Sequence, residues 1–316
     1  MTHPHRKIWH NGEFIAWEDA TVHVLSQSLQ RGTLAFDYMS VHETSSGPAV
    51  FRLQEHVARL INTCQITGLQ LGYSKTELIA ACADTVRANP GCGSLKISAL
   101  LPSIEVELIP QDPTVAVFIA AYDMRADIVE PHVKAGHQPL HEAPLVALKI
   151  ERHISNRRED IIPPQAKVAA NYTSPMMAKL QARKEGFDDV LLLNDQHLVG
   201  EAPTSNIFIV NDRGELLTPP SDKVLLGITR DSVITLAGAL GIACHERNLT
   251  ESDLQRAQEV FLTATSVGVW PVIRIDNTTY GNGTPGPITQ RLAEKHRTVR
   301  LGEDPQFAHW LHHVDD

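Results

Sequence analysis

At 316 residues, with 42% hydrophobic and 21% charged residues, the chain has an ordinary globular composition that excludes disorder, and a length one hydrophobic core seldom serves, so two domains are expected. A net charge of −9 repels phosphate backbones and excludes nucleic acid as an expected partner. Cys64, Cys82, Cys92 and Cys244 form no C-x-x-C pair, the opening residues carry no apolar signal core, and the longest apolar run, Val115 to Tyr122, is far short of the roughly 20 residues that span a bilayer; a cytoplasmic protein without membrane contact is expected.

In chain order, Ile8-Trp-His-Asn-Gly-Glu-Phe-Ile reads as a hairpin, because Asn11-Gly12 supplies the positive φ angles of a tight turn. Strands are expected at 34–43 and 49–53. A helix follows from Leu53 to Thr67, where Leu53, His56, Val57, Leu60, Ile61 and Cys64 recur at helical spacing. A second runs from Ser74 to Ala88, opened by the capping sequence Ser74-Lys-Thr-Glu77. Leu95–Leu101 and Thr114–Tyr122 read as paired strands. An α+β domain over 1–123 is therefore expected, then an irregular connection over 124–144 marked by Pro131, Gly136, Pro139 and Pro144, then a larger domain over 145–316. In the latter, strands are expected at 146–150, 188–193, 197–199, 206–210 and 258–263, and helices at 171–186, 230–240 and 250–257.

Four stretches carry candidate chemistry. In Ile162-Pro-Pro-Gln-Ala-Lys167-Val-Ala-Ala-Asn-Tyr172 one lysine sits among small and apolar residues just before a helix, where partial desolvation makes an amine nucleophilic. The alternative is a surface lysine lying over a sheet. Glu201, in Gly200-Glu-Ala-Pro-Thr-Ser-Asn206, stands at a strand entry, either as a partner for a protonated ring nitrogen or as a solvated turn residue. Leu226-Gly-Ile228-Thr229-Arg-Asp delivers Thr229 as expected N-cap of a helix whose free N–H groups suit a phosphate. Leu262-Thr-Ala-Thr265-Ser266-Val-Gly268 ends a strand in hydroxyl and small residues, and Arg59 supplies a matching cation. No metal-ligand pattern is present in the sequence.

Taken in order, the chain resembles the class IV, fold-type IV pyridoxal-phosphate aminotransferases, the branched-chain enzymes especially. The resemblance rests on Ile8-Trp-His-Asn-Gly-Glu, Trp17-Glu-Asp-Ala-Thr-Val-His-Val, Phe51-Arg-Leu-Gln-Glu-His, Ala166-Lys-Val-Ala-Ala-Asn-Tyr, Gly227-Ile-Thr-Arg-Asp and Gly286-Pro-Ile-Thr. It implies a two-domain α+β fold, a smaller domain and a larger pseudo-barrel, with pyridoxal 5'-phosphate at their interface. It implies that Lys167 carries the cofactor and shuttles the proton, Glu201 pairs with the pyridine nitrogen, Tyr172 bonds the phenolic oxygen, and Arg59, Ile228, Thr229 and Thr265 hold the phosphate. The partners it implies are an amine or amino acid donor, a 2-keto acid acceptor and a second copy of the chain.

The sequence departs from the branched-chain pattern where the family binds carboxylates. A tyrosine before Gly32-Thr33, and a tyrosine and an arginine two residues apart on the strand at 95–97, read here as Arg31, Leu95 and Ile97; the turn after Phe36 reads Asp-Tyr38-Met-Ser40. A pocket of Phe36, Tyr38, Leu95, Ile97 and Ser266 resembles that of (R)-selective amine transaminases and suits an aryl or alkyl amine. Arg31 and Arg125 are candidate carboxylate readers. Branched-chain L-amino acid, D-amino acid and aminodeoxychorismate lyase activities share the fold and stay open beside it, and a non-enzymatic binding protein is the alternative of another class.

Overall fold

Asn11 and Gly12 take φ of 49° and 101°, turning β1 (Lys7–His10) into β2 (Glu13–Ala16) as the sequence expects. The structure is a computed structural model describing residues 5–135 and 144–315. The chain divides into two units, Met1–Glu142 with Ala166–Ala170 and Arg300–Asp316, and Ala143–Gln165 with Asn171–Val299.

In the first unit, α1 (Gln27–Arg31) leads to β3 (Ala35–Thr44), β4 (Gly47–Phe51), α2 (Leu53–Thr67), α3 (Lys75–Arg87), β5 (Ser94–Leu100) and β6 (Ala116–Tyr122). Ser74 caps α3 in a reciprocal capping box with Glu77, and Gly68, at φ 74°, ends α2 in the left-handed conformation a glycine takes without strain. The strand order among the described residues is β15-β4-β3-β5-β6-β1-β2, with β15 at Leu311–His313. One face of this sheet packs Ala35, Met39, Leu95, Ile97, Val117 and Ile119 against Val57, Leu60, Leu78 and Cys82 of α2 and α3. Strand alternation sends the residues between them to the other face.

Three expectations change here. Much of 124–144, expected to be irregular, is helical: a π-helix over Met124–Val129 runs into α4 (Glu130–Lys134). Asp123 caps it, and Pro131 is tolerated because the first turn needs no N–H there. Gly136 and Pro139 lie outside the described residues. Residues 300–315, expected with the second domain, pack with the first unit instead, because β15 pairs with β4 at Leu311↔Phe51. The segment Ala166–Ala170 also joins the first unit: Phe36 N–H donates to Lys167 O, Ala169 N–H to Leu34 O and Ala170 N–H to Gly32 O.

The second unit comprises β7 (Val146–Glu151), α5 (Thr173–Lys184), β8 (Asp189–Leu192), β9 (Asn206–Val210), β10 (Leu216–Thr218), α6 (Ile228–Ala239), β11 (Cys244–Glu246), α7 (Glu251–Arg256), β12 (Glu259–Ala264), β13 (Gly268–Ile275), β14 (Thr278–Thr279) and α8 (Pro287–Arg300). Its strands run β11-β10-β9-β12-β13-β7-β8, with β14 on β13. Phe208 and Phe261 stack at 5.2 Å across the β9–β12 pair. The strand expected at 197–199 is only an isolated bridge between Leu193 and Val199. Strand β13 escapes the sequence reading because Pro271 interrupts it; pairing with β7 begins one residue later, at Val272.

Candidate active site

Lys167 is held from its main chain. Its N–H donates to Thr63 Oγ1 of α2 at 3.1 Å, its carbonyl accepts from Phe36 at 3.1 Å, and Val168 bridges to Ala35. Gly32, at φ 73°, lets the turn before β3 approach Ala170, whose Cβ lies 3.2 Å from where a side chain would begin. The Lys167 ammonium sits 5.0 Å from the centre of the Phe36 ring.

On the helix-packed face of the same strand lies a group the sequence reading missed. Asp37 is fully buried and accepts from Arg59 Nε and Nη2, each at 2.8 Å, and from Tyr38 N–H at 2.8 Å. Burial alone would push its carboxyl up, but Arg59 and His56 outweigh it and hold it well below the usual carboxylate range. Burial keeps His56 below its ordinary value despite Asp37, and because the carboxylate can only accept, His56 Nδ1–H donates to Asp37 Oδ1 at 2.7 Å. The two bonds to Asp37 fix the orientation of the Arg59 guanidinium. The sequence signal was available: Asp37 falls in step with the inward-facing Ala35 and Met39 of the strand, and His56 and Arg59 are three apart on one helix face.

Leu95 and Ile97 do not line a pocket. Both are wholly buried and belong to the core against α2 and α3. A one-residue slip in strand register exchanges every side chain between faces. Lys96 and Ser98 therefore share the opposite face with Phe36 and Tyr38, and the register pairs Tyr38 with Lys96 and Phe36 with Ser98. Tyr38 Oη bonds Ser94 Oγ at 2.8 Å, and burial, with Tyr38 nearby, pushes the Tyr122 hydroxyl up to about 12. Arg31 is exposed, its guanidinium 3.5 Å from Val106 O. Arg125 is 87% exposed and faces Glu130 at 3.5 Å.

In the second unit Glu201 is buried, not a solvated turn residue. Its carboxylate accepts from Asn206 Nδ2 at 3.0 Å and from Leu225 N–H at 3.3 Å, and pairs with Arg157 at 3.1 Å. The Arg157 guanidinium also lies 5.2 Å from the centre of the Tyr172 ring. One arginine thus ties two expected site residues together, and its Nε is buried without a hydrogen-bond partner. Sequence reasoning missed it because either half of the Arg157-Arg158 pair reads as surface charge.

Gly227, not Thr229, is the N-cap of α6, which begins at Ile228. Any Cβ at Gly227 would lie 2.1 Å from Asn206 Oδ1, so only glycine admits the asparagine that also bonds Glu201 and Leu225 O. The N–H groups of Ile228 and Thr229 open the helix with no intrahelical acceptor, as helix starts do, and the helix packs on β12. Thr265 is half-buried and Ser266 exposed in the turn from β12 to β13. No cluster able to hold a metal ion occurs among the described residues, and none of their helices is long and apolar enough to cross a membrane.

Known proteins resemble the chain along most of its length. The family model for amino-transferase class IV matches residues 34–275. The branched-chain-amino-acid aminotransferase of Escherichia coli (strain K12) is 33% identical over 98% of this chain and 97% of its own length, and that of Pseudomonas aeruginosa is 30% identical over 96% and 95%. Among solved structures, the branched-chain aminotransferase of Thermoproteus uzoniensis with norvaline superposes with a TM-score of 0.86 at 32% identity, covering 98% of this chain and 99% of that one. A second branched-chain amino acid aminotransferase, from T.th. and complexed with 4-methylvaleric acid, gives 0.88 at 32%, covering 99% and 100%.

Proposed function

The chain belongs to the class IV aminotransferases, enzymes that use pyridoxal 5'-phosphate, and we propose that its own reaction moves an amino group between an amino acid and a 2-keto acid through Lys167. Bound there, the cofactor supplies an electron sink that makes a substrate's α C–H acidic. The residues present fit such a group. Glu201 is a buried carboxylate fixed by two donors and an arginine, and α6 opens with donor amides in a cradle that a side chain at Gly227 would fill.

In this reading Lys167 Nζ would hold the cofactor and would serve as the base that takes and returns the substrate's α-proton. Glu201 would hold the proton of the pyridine nitrogen, Tyr172 would bond the phenolic oxygen, and Arg59, Ile228, Thr229 and Thr265 would hold the phosphate. Asp37 and Arg157 orient Arg59 and Glu201.

The substrate reading shifts once Leu95 and Ile97 belong to the core. Norvaline and 4-methylvaleric acid, present in the two solved structures named above, typify the amino acid and acid this site would take. Amine transamination of (R) configuration remains a second reading, favoured by the ring area of Phe36 and Tyr38. A single-turnover absorbance assay with L-leucine, D-alanine and both enantiomers of 1-phenylethylamine separates the two. Fastest conversion by L-leucine is expected; conversion by (R)-1-phenylethylamine with L-leucine inert would establish the amine reading instead.

The same reading includes a second copy of the chain, and four free cysteines are in keeping with a cytoplasmic location. Val24, Leu25 and Leu29 are exposed beside Ile104, Val106, Leu108 and Ile109, and the two stretches are tied by Gln27 N–H to Ser103 O at 2.8 Å and by Gln27 Nε2 to Leu108 O at 2.7 Å. An apolar patch of that extent is costly to leave in water. Sedimentation at twice the 34.9 kDa chain mass or a higher multiple is expected, and a monomer at micromolar concentration would contradict it.

A further inference from the structure

Between the end of β4 at Phe51 and the start of α2 at Leu53, Arg52 turns the chain with φ of 52° and ψ of 41°, a left-handed conformation that residues other than glycine adopt only against strain. No side chain caps α2. Its entry is held instead by Trp310 and the strand that follows it. Arg52 N–H donates to Trp310 O at 2.6 Å, and the Arg52 guanidinium lies 4.7 Å from the centre of the Trp310 ring while its Nε donates to Glu55 at 2.8 Å. Trp310 is itself buried, its ring centre 5.8 Å from that of Phe51 in an edge contact. Strand β15 then pairs with β4 at Leu311↔Phe51, His312↔Val50 and His313↔Ala49, and Val314 O accepts from Arg87 Nε of α3 at 2.7 Å.

The contacts continue from this clasp to Arg59. Arg52 O accepts the first hydrogen bond of α2, from His56 N–H at 3.1 Å. His56 Nδ1–H donates to Asp37, and Asp37 holds Arg59 by two bonds. His56 and Arg59 stand roughly one and two turns beyond Arg52, so the point at which the chain enters the helix sets where both side chains are presented. We propose that Trp310 is a positioning residue for the cofactor's phosphate, holding Arg52 in its left-handed turn and thereby fixing the place of Arg59. This rests on the reading that Arg59 holds that phosphate.

The test compares, for the full-length chain, the concentrations of pyridoxal 5'-phosphate and of phosphate-free pyridoxal that half-saturate the visible band. In Trp310→Ala the preference for the phosphorylated form is expected to fall about tenfold, the range for losing a desolvated contact between a cation and a ring, while Trp310→Phe, which keeps an aromatic face, retains it within about threefold. Trp310→Leu, which keeps the apolar bulk, serves if the alanine variant does not fold. A tryptophan that only packs would lower the melting temperature and weaken both forms alike, so a preference within about twofold of native in the alanine or leucine variant overturns the proposal. Arg59→Gln checks the premise. A preference lost there but kept in the Trp310 variants sinks the proposal and leaves the phosphate reading standing, whereas a preference kept in Arg59→Gln sinks that reading and the proposal with it.

Discussion

Lys167→Ala is expected to remove turnover by at least about 10⁴-fold, the upper range for losing a proton-transfer group, and to abolish the visible absorbance of the loaded enzyme. The fold should be almost untouched. The hydrogen bonds that place residue 167 come from its backbone, to Thr63 Oγ1 and from Phe36 N–H, and alanine keeps them. Thermal unfolding of the variant without cofactor should therefore match that of the native chain without cofactor within a few degrees. Substantial turnover, or a retained band, would mean that another amine carries the chemistry.

Glu201→Gln is expected to act differently, lowering both stability and rate while keeping the absorbance. The carboxylate now faces three donors: Arg157, Asn206 Nδ2 and Leu225 N–H. A glutamine accepts through one oxygen only and presents its own N–H groups to whichever donor remains, and Arg157 becomes a buried cation without a counter-charge. Breaking a buried pair from one side costs about 3–5 kcal/mol, so a clear fall in melting temperature is expected. Turnover should fall on the order of 10²-fold or more, since a fixed charge facing the ring nitrogen is lost. Lys167 is intact, so the band should persist, perturbed in its pH dependence. A variant with native melting and native rate would show that Glu201 neither pairs with Arg157 nor assists the ring.

Much of this was legible in sequence because it follows from short-range rules. The helix from Leu53 to Thr67 is visible in its apolar spacing, and α3 in its Ser74–Glu77 box. Lys167, Glu201 and the glycine before α6 stand in ordered motifs, which is what singles them out in the sequence. What was not legible depends on partners distant in sequence. Whether Leu95 or Lys96 faces the core is decided by where α2 and α3 pack, and the alternation Leu95, Ile97, Ala99 against Lys96, Ser98 was the clue that apolar residues take the helix side. Placing Lys167 in the first unit depends on its pairing with β3, far earlier in the chain, and β15 on its pairing with β4. Arg157 shows the same limit: its burial follows from Glu201 and Tyr172, neither of which is adjacent.

The ring of Phe36 is contacted by the ammonium groups of both Lys167 and Lys96, and the choice between them is open to direct chemical proof. The loaded enzyme is reduced with borohydride, digested and mapped by mass spectrometry, so that the lysine bound to the cofactor is marked irreversibly. The account predicts one phosphopyridoxyl group per chain, on the peptide containing Lys167, with Lys96 unmodified. A label on Lys96, or on any other lysine while Lys167 stays bare, would contradict it.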